Sequence, residues 1–231
     1  MIVAINQPNY FPWLGYFKKI LEADIFILLD DAQFSKGSYT NRVRIGKSSS
    51  VRWLTLPVTY KFGQPINKVR VASVHWKQNH LDILKQTYLG SPHFDEVWND
   101  LEEMFEGLSS HNLSVVNQYL IRRVIVCLGF QVDFRLASMF NIKEHSDDRL
   151  ISLIQKVASR CVYLSGDGGK SYQSVEKFEL NDITVRYLNF IHPSYTQFST
   201  DSFLPGLSVL DAAFNIGWKN TRQILLESIQ T

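Results

Sequence analysis

Two short apolar runs, Met1–Ile5 and Ile25–Leu29, bracket a segment, Leu14–Ala23, in which Leu14, Phe17, Ile20 and Leu21 recur at helical spacing. Uninterrupted apolar runs of this length are what strands covered on both faces look like. Strand, helix and strand in that order make a βαβ unit, and the crossover commits the chain to a parallel sheet. In such sheets ligands collect at the loops leaving the carboxyl ends of the strands. The first two of these loops hold Gln7–Trp13 and Asp30–Lys36. Gln7, Asn9, Tyr10, Trp13 and, just inside the helix, Tyr16 bring amide and aromatic groups to the first loop. Pro8 and Pro12 would stiffen a plain turn just as well, with the rings capping the sheet. Loops on rigid scaffolds carry function disproportionately, which favours a site.

The pattern then changes. Arg42–Ile45 and Val51–Val58 flank the turn Gly46–Ser50 as an antiparallel hairpin, with a further strand expected at Val69–Val71. Ser73 can cap a helix over His75–Tyr88, a second helix should follow Pro92 through Val97, Leu101 and Phe105, and a third fits Ser114–Leu128. Strands at Val132–Leu136, Val162–Leu164 and Ile183–Phe190 and a helix over Asp147–Ala158 restore the α/β alternation. Ser208 caps a helix, Val209–Ile216, that stops at Gly217, and Asn220 or Thr221 opens the last one. The expectation is one α/β domain over residues 1–231: a mostly parallel, Rossmann-like sheet with an antiparallel hairpin and a mainly helical insertion around 73–130.

Lys plus Arg number 24 against 22 Asp plus Glu, a formal charge of +2 that offers no general attraction to nucleic acid. Cys127 and Cys161 lie in apolar segments and read as small buried hydrophobes. No apolar stretch is long enough to span a bilayer and no signal peptide opens the chain, so a cytoplasmic protein without stable membrane insertion is expected.

Several constellations carry potential chemistry. Arg42 and Arg44 share one strand face by the two-residue period, and with Gln33, Lys36 and Asn41 nearby they make a cationic grip for phosphate or carboxylate; solvated strand charges would give the same pattern. Gly166, Gly168 and Gly169, followed by Tyr172, stand directly after a strand, where backbone N–H groups can approach an anion closely. Their spacing is not that of a P-loop, and an ordinary turn fits equally. His192 follows the last strand with Tyr195 and Gln197 and suits a general base, or a histidine tied to backbone before Pro193. His80 shares a helix face with Trp76, directed at the site or at the sheet. Metal-ligand spacings are missing, although Asp30 or Asp31 at a strand end suits a hydroxyl or a magnesium ion.

At these residues the chain resembles the WbqC-like family of bacterial proteins. The resemblance rests on Gln7-Pro-Asn-Tyr-Phe-Pro-Trp-Leu-Gly-Tyr-Phe17, Asp31-Ala-Gln-Phe34 with Asn41-Arg42, Trp53-Leu-Thr-Leu-Pro-Val58, Trp76 with His80, Tyr163–Gly169 with Tyr172, and His192-Pro193 with Tyr195 and Gln197. It departs from the pattern where Asp167 sits between glycines and Gln173 follows Tyr172. The resemblance implies a setting among bacterial surface polysaccharides, including O-antigens with acylated amino sugars. A weaker similarity is to HIGH-type nucleotidyltransferases, whose His-x-Gly-His lies where Pro12–Tyr16 stands here without either histidine; only the architecture carries over.

The resulting expectation is a transferase acting on a nucleotide- or lipid-linked amino sugar by N-acyl or aminoacyl transfer. An acyl thioester or ATP would be the co-substrate, and a carrier protein or a homo-oligomer would be compatible partners. Arg42 and Arg44 would hold phosphate, Tyr10 and Trp13 would stack on sugar or base, Gln7, Asn9 and Gln33 would orient polar groups, and His192 or Asp31 would take the proton. Nucleotidyl transfer and non-catalytic sugar-nucleotide binding are the alternatives.

Overall fold

The computed structural model describes residues 1–47, 50–198 and 202–228. Its centre is a five-stranded, wholly parallel sheet of β1 (Ile2–Asn6), β2 (Ile25–Leu28), β7 (Asp133–Leu136), β8 (Cys161–Ser165) and β9 (Ile183–Tyr187), in the order β7-β2-β1-β8-β9. The first connection, through α1 (Leu14–Leu21), leads from β1 to β2 and on towards β7; the next strand, β8, joins the opposite side of β1. The direction of winding therefore reverses between β1 and β8. That gap, outside the carboxyl ends of the two strands, is where doubly wound sheets open a crevice.

Between β2 and β7 the chain makes the hairpin β3 (Arg42–Lys47) and β4 (Ser50–Thr55), the short pair β5 (Val58–Thr59) and β6 (Arg70–Val71), and the helices α2 (Trp76–Tyr88), α3 (Phe94–Glu106) and α4 (Leu113–Cys127). The expected hairpin and helical insertion are thus present. The single strand expected over Val51–Val58 is instead divided: it ends at Thr55, Leu56 N donates to Asn41 O, and Val58 begins a separate pairing with Val71. The last strand likewise stops at Tyr187, short of Phe190, because Asp167 accepts from the backbone N–H groups of Asn189 and Phe190 and turns the chain away.

One face of the sheet packs on the insertion and on α1 and α7 (Val209–Glu227) through Phe17, Phe26, Phe105, Leu120 and Phe214. The other face is covered by α5 (Ser146–Gln155) and α6 (Val175–Glu179) through Ile5, Ile27, Ile154, Tyr163 and Phe178. Asp147 and Asp148 occupy the first turn of α5, where a carboxylate is favoured by the helix dipole. Ser208 caps α7 as expected, its Oγ accepting from Leu210 N. Gly217 ends the first helical stretch as expected, and the last one begins directly after it rather than at Asn220 or Thr221. The glycine takes φ 76°, ψ 162°, a conformation open to glycine alone. Among the described residues no helix is long and apolar enough to cross a membrane.

Candidate functional site

The loop after β1 is a clamped hub. Asn117 on α4, fully buried, donates through Nδ2 to Pro8 O at 2.8 Å and Thr40 O at 2.7 Å. Tyr10 N donates to Tyr39 O, Val209 N to Pro12 O, Ser208 Oγ to Phe11 O and Tyr16 Oη to Gln7 O. This bonding holds Phe11 at φ 39°, a conformation that a bulky residue adopts only when its surroundings over-determine it.

The aromatic rings of the loop consequently turn inward. Tyr10 is fully buried, and its hydroxyl lies 2.7 Å from His80 Nδ1. The other ring nitrogen of His80, Nε2, faces Thr55 O at 3.1 Å; since a carbonyl only accepts, Nε2 carries the proton and Nδ1 accepts from the phenol. Burial pushes the His80 pKa down to about 4, so this bonded neutral form persists at physiological pH. Tyr10 is therefore a core residue without a free face for stacking, and His80 supports it. Tyr16 is also buried, and Trp13 is half-buried against Tyr16 and Tyr39.

What remains open is a cleft of about 390 Å³ at the reversal point between β1 and β8. Asn6, Gln7 and Asn9 line it from the first strand's loop, Ser38 and Tyr39 from the loop before β3, and Tyr163, Ser165, Gly166, Gly168, Gly169 and Tyr172 from β8 and its loop. The glycines differ in purpose. A Cβ on Gly169 would overlap the Gln173 amide and the Ser165 hydroxyl, which would have to give up their mutual hydrogen bond or shift, so packing favours glycine there. Gly166 has φ −76°, which any residue adopts, and a Cβ on Gly166 or Gly168 would have no atom within 4 Å. Neither conformation nor protein packing demands glycine there. Both leave open space beside the backbone at this end of the cleft.

The cleft also contains a residue with no signature in the sequence pattern. Lys19, on α1, is 4% exposed, and its Nζ donates to Ile5 O at 2.8 Å. Burial lowers its pKa to about 7. A fold that favours the neutral amine gains stability as pH rises from about 7 towards the unfolded lysine value of 10.5, and loses that contribution as pH falls through 7. Between pH 7 and 9 the difference in unfolding free energy between wild type and Lys19→Met should change by about 2 kcal/mol, wild type gaining. Urea titrations at the two pH values check this; parallel pH profiles would contradict it.

From the cleft wall an aromatic path leads outward: Tyr39 meets Trp53 edge-on at 5.5 Å, and the Arg42 guanidinium stacks 4.0 Å over the Trp53 ring. Trp53 is 42% exposed. It pairs across the hairpin with Arg44, so all three side chains share one face. The cationic pair is present as a ridge, with Arg42 engaged by an indole.

The other expected residues lie elsewhere. Asn41 is buried and donates to Leu56 O, while Gln33 and Lys36 are exposed, Gln33 bridging to Pro65. Asp31 is paired with Arg149 at 2.6 Å, and Asp30 accepts from Ser138 N and Oγ, which occupies both carboxylates. No cluster suited to a metal ion occurs among the described residues. His192 sits in a nest of Phe190, Tyr195 and Phe203, with Nδ1 donating to Pro193 O, and burial lowers its pKa. Tyr195 Oη and Gln197 Nε2 both donate to Asp211 Oδ2. His192, Asp31, Tyr195, Gln197 and His80 are thus outside the cleft wall, which gathers Gln7, Asn9, Gly166, Gly168, Gly169 and Tyr172.

The model of the WbqC-like protein family matches residues 7–223. The chain is also similar to an uncharacterized protein of Mycobacterium tuberculosis (strain ATCC 25618 / H37Rv), Rv1507c, at 32% identity over 219 residues, covering 93% of this chain and 94% of that one. No solved structure matches.

Proposed function

The chain belongs to the WbqC-like protein family, and from that footing we propose that it is a transferase acting on a nucleotide- or lipid-linked amino sugar in bacterial surface-polysaccharide biosynthesis, by N-acyl or aminoacyl transfer. The observation that carries the reading is the cleft at the β1–β8 reversal point, continued by Tyr39 onto the exposed Trp53 and Arg42 ridge. A diphosphate fits the glycine-cleared end, and a sugar or base has an indole face on which to lie. In the reaction the sugar amine attacks the acyl carbon of a thioester; the C–N bond forms, the C–S bond breaks, and the nitrogen's proton ends on the departing thiolate. Positioning of the two substrates supplies most of the acceleration, since no covalent enzyme intermediate is needed. The enzyme would work in the cytoplasm.

A non-catalytic reading is favoured by one feature: the residues lining the cleft include no histidine and no carboxylate. Thermal melts against nucleotide-linked amino sugars, acyl-coenzyme A species and ATP separate the readings. A sugar nucleotide at one hundred times its dissociation constant should add about 2.7 kcal/mol, and Trp53→Ala should weaken that ligand by about 1–2 kcal/mol. Turnover with an acyl donor then supports the transferase, and binding without turnover supports the recognition protein. Stabilisation by ATP alone, with pyrophosphate exchange, would replace both by nucleotidyl transfer.

A further inference from the structure

Helix α1 buries two lysines, and they are treated differently. Lys18 Nζ donates to Leu225 O at 3.1 Å and lies 3.5 Å from Glu22, so its charge is compensated. Lys19 is equally buried, yet its Nζ has one carbonyl, Ile5 O, and no ion pair among the described residues. An ammonium carries three N–H donors, and a single carbonyl leaves two directions unmet. Burying a cation without compensation is unfavourable, and a helix facing an apolar sheet would be served as well by methionine. Among the described residues Lys19 is also the sole cationic side chain of the cleft, whose lining contains no carboxylate. The same lining includes Gly166 and Gly168, with open space where their side chains would be.

We infer that Lys19 is the anion-binding group of this cleft, its ammonium receiving a phosphate oxygen of the ligand. The inference rests on the phosphate-bearing ligand proposed above and identifies the group that holds it. Neutral donors stand beside the same space: the Gln7 and Asn9 amides and the Ser38 hydroxyl. The free amine, held near neutrality by burial, becomes an ammonium once phosphate charge replaces the lost solvent. Binding above pH 7 is then accompanied by uptake of a proton. The ionisable groups on the other walls are the phenols of Tyr39, Tyr163 and Tyr172, and the Lys18–Glu22 pair lies on the same helix; none of them supplies a competing negative charge inside the cleft.

The test follows the lysine itself, in the full chain, with inorganic pyrophosphate as probe. Carbon-detected NMR of labelled lysine should give one resonance that titrates near pH 7, is missing from Lys19→Met, and moves up by at least one pH unit in saturating pyrophosphate. Calorimetry at pH 8 in two buffers of different ionisation enthalpy should report proton uptake by wild type, and pyrophosphate binding at least tenfold weaker in Lys19→Met. Should Lys19→Met fail to fold, Lys19→Arg should bind pyrophosphate without taking up a proton. A titration near 10, a midpoint that pyrophosphate leaves unchanged, or the absence of saturable pyrophosphate binding overturns the inference. The two proposals fail separately. A sugar nucleotide that binds without moving Lys19 removes the anchor and leaves the transferase; a pyrophosphate response without any sugar-nucleotide binding does the reverse.

Discussion

Asn117→Ala is expected to lower stability by about 4 kcal/mol, the largest effect of any single side chain in the hub. One amide serves two buried carbonyls, Pro8 O and Thr40 O, and its removal leaves both without a donor. Each buried acceptor left bare costs about 1–3 kcal/mol, and the vacated volume adds to it. The melting temperature of a chain of this size should fall by roughly 8–16 °C. Asn117→Leu separates the two contributions, because it fills the volume without restoring the bonds; it should recover only the smaller part. A melt within about 2 °C of wild type for Asn117→Ala, on the order of 1 kcal/mol or less, would mean that the hub does not depend on this amide.

Gly168→Trp should leave the fold intact and weaken the cleft's ligand at least a hundredfold. A Cβ at this position would have no neighbouring atom within 4 Å, so the indole can enter only the cleft or solvent. Gly169→Ala should behave oppositely, lowering the melting temperature through its overlap with Gln173 and Ser165. Measured side by side, by melting and by calorimetry with the ligand found in the panel, the two substitutions distinguish a glycine kept for a ligand from one kept for packing. Undiminished ligand binding by Gly168→Trp would remove the glycine loop from the site.

Much of the scaffold is legible in the sequence because its signals are local. The apolar runs of β1 and β2, the helical spacing of α1, and the Ser208 cap of α7 each lie within a few neighbouring residues. Elements that escape are too short to show a period: β5 has two residues and α6 has five. Gly217 is legible for a physical reason, since glycine ends helices by a positive φ, and here that φ separates two helical stretches.

The site is less legible. Amide and aromatic residues in a loop after a strand point to a ligand only if they face outward, and what turns Tyr10 inward is His80, with Asn117 and Ser208 holding the backbone. Those partners are distant in sequence and carry no pattern that links them to the loop. Lys19 is hidden because helical periodicity marks Leu14, Phe17 and Ile20 as the buried face. In the folded chain α1 is buried on every side from Leu14 to Ile20, between the sheet and α7. The one hint in the sequence is a short helix after an apolar strand and loop, with adjacent lysines Lys18 and Lys19 among apolar neighbours.

The fastening of the first loop to the last helix has a consequence for biosynthesis. Ser208 reaches Phe11 across 197 residues of sequence, and Val209 closes on Pro12 beside it. A ribosome adding about 5–20 residues per second needs roughly 10–40 s to deliver the second partner after the first has been made. Throughout that interval the nascent βαβ unit carries Phe11 and Pro12 carbonyls without their final donors, and the strained Phe11 backbone is held only by the earlier bonds from Tyr10, Tyr16 and Asn117. The fastening of the first loop is thus among the last parts of the molecule to be completed, and a chain truncated before α7 would carry every residue of the cleft wall, with a first loop that lacks two of its bonds.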